Sequence, residues 1–310
     1  GVDVHKVEIP EGTEFKYKVP DFIEFKSPEF IQALSDVKES IFIVNDKGSV
    51  ILPKILVKAY PFDGAKYKMG IGGLHSQEKK QTIVAKPGQT LVDKDVKAYY
   101  PWIIFNASFG KFGSKYSSMY SPDLLIQTTV TGQLSLMMLI ERLTAIGVKI
   151  CSANTDGIVL LFEDELEPLV EEVCFNWELD TGFELEDTFY KALYSRDVNN
   201  YLAVKPDNSA KGKGIFTLGT LSKNPANVIC YEAVMAHITN GDDIEQTIRD
   251  CNVVHKFTCV RTVNGGAEVD GVVIGKSIRW YYAENHNDYI RYAKNGNKVP
   301  KTDGAKPMME

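Results

Sequence analysis

The sequence predicts an α+β fold, an antiparallel sheet backed by long helices, and three stretches carry that prediction. In residues 151–162, C-S-A-N-T-D-G-I-V-L-L-F, two β-rich runs flank an Asp-Gly pair, the strongest short-range signal for a hairpin. Within residues 120–146, Ile126, Val130, Leu134, Met137 and Leu143 recur mostly at intervals of three or four, the spacing of one helix face. The run 91–96 is strand-like and carries Asp93 and Asp95 two apart, hence on one face.

In chain order, residues 1–66 mix short β-like runs such as 40–44 with a helix start at Ser27, where Pro28 suits the first helical position. They are read as a supporting region without chemistry. Gly70, Gly72 and Gly73 mark either a tight turn or a place where backbone comes close to a bound strand. Pro122 opens the long helix, its Met137-Met138 pair fills core, and Gly147 ends it before the hairpin. The turn 154–157 then lifts Asp156 to the hairpin tip. Residues 163–190 hold eleven acids and no Lys or Arg, read as a solvated acidic face. Further helices are expected near 226–239 and 243–251, followed by β-like runs in which Lys256, Arg261, Lys276 and Arg279 are interspersed, the last beside Trp280, Tyr281 and Tyr282.

A chain of 310 residues can bury a substantial core. No apolar run approaches the roughly eighteen residues of a membrane span, and no secretory signal is visible, so no membrane partner is expected. The five cysteines are scattered without a C-x-x-C pair, the usage of reduced intracellular thiols. A net charge of −6 argues against a polyanionic partner. Setting the acidic stretch aside leaves the remainder net positive, which leaves room for a basic groove.

Two strand-borne carboxylates that converge, Asp95 and Asp156, suit hard divalent cations of the kind used for in-line nucleotidyl transfer. An Asp-Gly hairpin alone is usually only a hairpin. Its companions narrow the reading. Asp95-x-x-Ala98-x-Tyr100-Pro101 resembles the first palm motif of family B DNA polymerases, D-x-x-S-L-Y-P. Residues 106–110, N-A-S-F-G, resemble the second, N-S-x-Y-G, and residues 154–157, N-T-D-G, the third, D-T-D-S. With Gly70-Ile71-Gly72-Gly73, the text over roughly residues 65–282 looks most like the bacteriophage type.

The resemblance implies a palm over 67–222 and a smaller thumb over 223–310, acting on primer–template DNA and dNTPs in the cytoplasm of a bacterial host, with other phage replication proteins as further partners. Asp95 and Asp156 would be the catalytic residues and hold two Mg²⁺ ions, with Mn²⁺ as the alternative. Tyr100 would select deoxyribose, and Asn106, Phe109 and Gly110 would border the nucleotide. Gly72, Gly73, Tyr201, Lys211, Lys213 and Gly214 would contact DNA. Four residues, 102–105, stand where the family carries its fingers, and Trp102 falls where its triphosphate-binding lysine belongs. Asn154 replaces the first aspartate of the third motif. These departures leave a rival reading, a DNA-binding polymerase remnant without catalysis, and a join across an omitted fingers segment is the preferred expectation. No D-x-E-bearing domain precedes Asp95, so no 3′→5′ exonuclease is expected in this chain.

Overall fold

The computed structural model describes residues 8–97, 111–217, 224–286 and 288–308, and the chain divides into two units, Gly1–Pro206 and Asp207–Glu310. The first unit runs β1 (Glu14–Phe15), α1 (Pro28–Glu39), β2 (Phe42–Val44), β3 (Val50–Ile51), β4 (Ala59–Phe62), β5 (Ala65–Lys68), β6 (Leu74–Ser76), β7 (Gln81–Val84) and β8 (Gln89–Lys97). It continues with α2 (Pro122–Ala145), β9 (Lys149–Thr155), β10 (Gly157–Glu163), α3 (Glu167–Thr181), β11 (Glu184–Tyr190), β12 (Ala192–Asp197) and β13 (Asn200–Val204). Its centre is a seven-stranded sheet in the order β11-β8-β10-β9-β6-β5-β4, antiparallel at every pairing. The fold is thus mixed α/β with antiparallel sheets. The expected boundary at 66/67 falls inside β5, and the division at 206/207 precedes the expected one at 222/223.

The two faces of this sheet follow from strand alternation. On β8, Val92 and Lys94 point one way, Leu91, Asp93 and Asp95 the other. The first face packs on α2 and α3, joining Val92, Ala153, Ile158 and Leu160 to Leu134, Met137, Leu139 and Trp177 in the main core. The second carries Leu91, Cys151, Val159 and Tyr190 against Ile83, Leu193 and Ala203 of β7, β12 and β13. Lys94 is almost wholly buried on the helix side, where its ammonium meets Glu171 and Asp187, each at 2.9 Å. Burial acts to lower its pKa, but Cys174 and the two carboxylates outweigh that and hold it above the ordinary lysine value.

Helix α2 is buried nearly all round, as befits a helix apolar on every face. By length and composition it could cross a membrane, contrary to the reading of the sequence as lacking such a run. In the fold, 72% of its most apolar stretch lies inside the protein. Glu141 of α2 accepts hydrogen bonds from the backbone of Lys26 and Ser27 and from the Ser27 hydroxyl, tying down the start of α1. The other anchor of α1 is Asp36, 2% exposed, which binds Lys58 at 2.6 Å, Tyr60 Oη at 2.8 Å and Gln32 at 2.9 Å. Burial acts to raise the Asp36 pKa, but Lys58, Gln32 and Tyr60 outweigh it and hold the carboxyl below its usual range. A depressed carboxyl contributes stability above its unfolded pKa of about 4 and loses it as pH falls through the folded value. Asp36→Asn is therefore expected to cost about 3 kcal/mol at neutral pH, and the gap to the parent should close in strong acid. Urea titrations at both pH values check this, and a gap independent of pH refutes it.

The second unit runs β14 (Ala210–Lys213), α4 (Val228–Asn240), α5 (Ile244–Arg249), β15 (Thr258–Val269), β16 (Val272–Tyr282), β17 (Arg291–Tyr292) and β18 (Ala305–Pro307). The long hairpin β15–β16 turns through Asp270 and Gly271, both at positive φ, the pair a tight primed turn requires. With β17 and β18 on its edges it closes a separate small core around Val263, Ala267, Ile278, Trp280 and Ile290.

Candidate active site

The site forms where β8 and β10 end together. Their antiparallel register sets Asp95 opposite Gly157, one residue from Asp156, and the Val96 amide donates to the Asp156 carbonyl at 2.8 Å. The Asp95 carboxylate lies over the Gly157 α-carbon, since a Cβ there would come within 2.0 Å of Oδ1. Asp95 is half-buried and Asp156 exposed. Asp95 on β8 and Asp156 in the turn before β10 thus lie on adjacent stretches of backbone at one end of the sheet.

The turn differs from the expected Asp-Gly type. Asn154 and Gly157 pair as strand residues, the Asp156 amide donates to the Asn154 carbonyl at 2.8 Å, and Thr155 takes the left-handed conformation at φ 62°. Gly157 serves clearance over Asp95; it does not supply the positive φ. Asn154 also braces the turn, because its Nδ2 donates to the Val198 carbonyl at 2.8 Å and its Oδ1 accepts from Thr155 at 3.1 Å. Val198 sits in the turn between β12 and β13, so this bond ties the hairpin tip to the strand that begins with Asn200 and Tyr201.

Tyr201 accordingly stands among the acids. Burial first, then the charges of Asp93, Asp95 and Asp156, push its hydroxyl up to about 12. Asp93, which the sequence leaves as either a support behind Asp95 or a simply exposed acid, is 5% exposed and accepts the Tyr190 hydroxyl at 2.9 Å. Burial and then the Asp93 charge raise the Tyr190 pKa well above the ordinary phenol value. The alternation of 93 and 95 gave the face, but Tyr190 arrives only because β11 pairs on β8, 97 residues away in sequence.

The glycine-rich segment lies alongside the turn. Gln133 of α2 both accepts from the Gly70 amide at 2.9 Å and donates to its carbonyl at 2.8 Å. Beyond it, Leu74 and His75 pair with Thr155 and Asn154. Gly73 touches Thr155 so closely that a Cβ would lie 2.8 Å from its Cα, whereas one on Gly72 would meet nothing within 4 Å. Gly72, Gly73, Thr155 and Asp156 open onto a cavity of about 650 Å³ whose floor includes Val96, Leu136 and Trp177.

Lys211, Lys213 and Gly214 belong to the second unit. Tyr100, Asn106, Phe109 and Gly110 lie outside the described residues. Among the described residues no group of three His, Cys, Asp or Glu side chains is gathered closely enough to hold a metal ion. All five cysteines are free thiols; burial pushes Cys151 and Cys174 up to about 12 and leaves them chemically inert.

No family model matches the chain. Its sequence is 24% identical over 144 residues to DNA polymerase 1 of Sulfolobus acidocaldarius, covering 46% of this chain and 16% of that protein. It is 22% identical over 172 residues to DNA polymerase 1 of Saccharolobus solfataricus, covering 54% and 19%. The chain is a distant relative of archaeal DNA polymerases. These matches take in less than a fifth of either polymerase. A third polymerase relative, DNA polymerase 1 of Sulfurisphaera ohwakuensis, is 25% identical over 115 residues, covering 36% and 13%. The solved family B DNA polymerase from the hyperthermophilic archaeon Pyrobaculum calidifontis aligns with a TM-score of 0.39 at 12% identity, covering 66% of this chain and 29% of that one, a likeness too loose to carry an argument. All three sequence relatives are archaeal, so the bacteriophage type rests on the motif resemblance alone.

Proposed function

We propose that this polymerase relative carries the catalytic acids of a family B DNA polymerase and adds deoxynucleotides from dNTPs to a primer 3′-hydroxyl under the direction of a template. The observation that supports this best is the register of β8 on β10, which sets Asp95 opposite Gly157 and next to the turn that carries Asp156, with room for the Asp95 carboxylate over Gly157. Asp95 and Asp156 would hold Mg²⁺, which when bound supplies activation of the primer hydroxyl and neutralisation of triphosphate charge. Tyr201, half-buried beside both acids, is positioned to bind a primer end, and the Gly72–Gly73 backbone, open on one side, to let a nucleic-acid strand approach. A palm-and-thumb division and a bacteriophage origin go with this reading on the strength of the motifs.

One observation favours the non-catalytic remnant. Asn154 stands where the motif has an acid, and both ends of its amide are engaged by Val198 and Thr155. Primer extension run beside a primer–template binding assay separates the two. The catalytic reading expects a labelled primer to lengthen with dNTPs and Mg²⁺ or Mn²⁺, and to stop lengthening in chelator. Tight binding with no extension under any divalent ion would establish the remnant.

A further inference from the structure

Helix α3 carries two stripes at the same spacing. Val170, Cys174, Trp177 and Thr181 are buried in the main core. On the opposite side, Pro168, Glu172, Phe175 and Leu179 face outward, with Phe175 58% and Leu179 66% exposed. A surface helix in a self-contained unit is polar on its outer face, and large apolar groups grouped there mark an interaction site. The acids nearest this stripe give the partner's charge: Glu167 and Glu172 are exposed on α3 and Glu163, Asp164 and Glu165 are exposed just before it, whereas Glu171, Asp180, Glu184 and Asp187 are already paired with Lys94, Arg142 and Lys97.

We infer that the outer face of α3 is a docking surface for a basic amphipathic helix of another protein. Phe175 and Leu179 supply the apolar anchors, and the acids select Lys or Arg at the rim. A helix of 15 residues spans about 22 Å and so seats about four turns of a partner lying along it. A second copy of this chain fits poorly, because a twofold interface would press the two acidic faces together. A nucleic-acid strand is repelled for the same reason. The surface also lies on the helix side of the sheet, where Glu171 meets Lys94, while Asp93 and Asp95 point to the other face. A docked helix therefore leaves Asp95 open, and the inference stands whether or not the chain is catalytic.

The test titrates the full chain into a labelled peptide of about four helical turns, with Leu at i, i+3, i+4 and i+7 and Lys elsewhere, followed by fluorescence anisotropy. The wild-type chain is expected to bind saturably and more weakly as salt rises. Phe175→Ser/Leu179→Ser, which removes the two anchors, should weaken binding roughly tenfold or more, and Glu172→Lys should weaken it without touching an apolar group. These residues are exposed, so unchanged melting temperatures certify the variants. The inference is overturned by absent binding, by equal binding of the double variant, or by equal binding of a peptide with Glu in place of Lys. Dimerisation of the wild type that Phe175→Ser/Leu179→Ser abolishes would overturn it too, by showing the face to be a self-interface.

Discussion

Asp156→Ala is expected to abolish primer extension while leaving the fold and primer–template binding intact. The side chain is exposed at a turn whose shape is held by backbone hydrogen bonds of residue 156. Its amide donates to Asn154 and its carbonyl accepts from Val96, and alanine keeps both. The loss falls on charge. Removing one of two carboxylates that would hold the divalent ions takes away stabilisation aimed at a transferring phosphoryl group, where single groups are worth about 3–4 kcal/mol, roughly two to three orders of magnitude in rate. Asp95→Ala should do the same. The double variant should be little worse than either single one, because both acids serve the same ions and residues that act as a unit are not additive. Extension rates, melting temperature and primer–template affinity, measured together on the three variants, decide the matter. Synthesis retained by Asp156→Ala would end the catalytic assignment, and a collapse of melting temperature would show that the turn depends on the carboxylate.

What the sequence revealed of this site follows from the range of the forces involved. The hairpin, the long helix and the shared face of Asp93 and Asp95 come from local periodicity, and the structure has β9–β10, α2 and β8 where the patterns put them. The turn chemistry misled because local preference assigns positive φ to glycine, whereas pairing of Gly157 with both Asn154 and Asp95 fixed it as a strand residue and left Thr155 to turn. The partner of Asp93 was illegible for a different reason. Tyr190 reaches it only through the placement of β11 on the far edge of β8, and no local pattern encodes which strand a distant one will join. The acidic run was read as solvated, which holds for most of it. Local pattern did not show that Asp187 and Glu171 also pair with a lysine that alternation had placed on the buried face, or that Asp180 and Glu184 pair with Arg142 and Lys97.

Gly73→Ala is the substitution expected to disturb the site most from outside it. Alanine at 73 would place its Cβ 2.8 Å from the Cα of Thr155 and 2.9 Å from its Cγ2. The first of these is backbone, so no rotamer change relieves the clash. Either β6 parts from β9, losing the pairing of Leu74 with Thr155, or the turn carrying Asp156 shifts by a large fraction of an ångström. Forced overpacking of this kind costs about 1–3 kcal/mol of stability. Its effect on catalysis should be larger in proportion, because a reacting geometry displaced by about 1 Å loses on the order of a hundredfold in rate. Gly72→Ala is the matched control, since its Cβ would meet no atom within 4 Å. The pair separates two roles for the glycine segment. If it serves Asp156 by close packing, extension falls in Gly73→Ala alone and primer–template affinity holds in both. If it serves as a bare backbone surface for a nucleic-acid strand, Gly72→Ala weakens binding as well. Unimpaired extension by Gly73→Ala would show that the position of the Asp156 turn does not govern the chemistry.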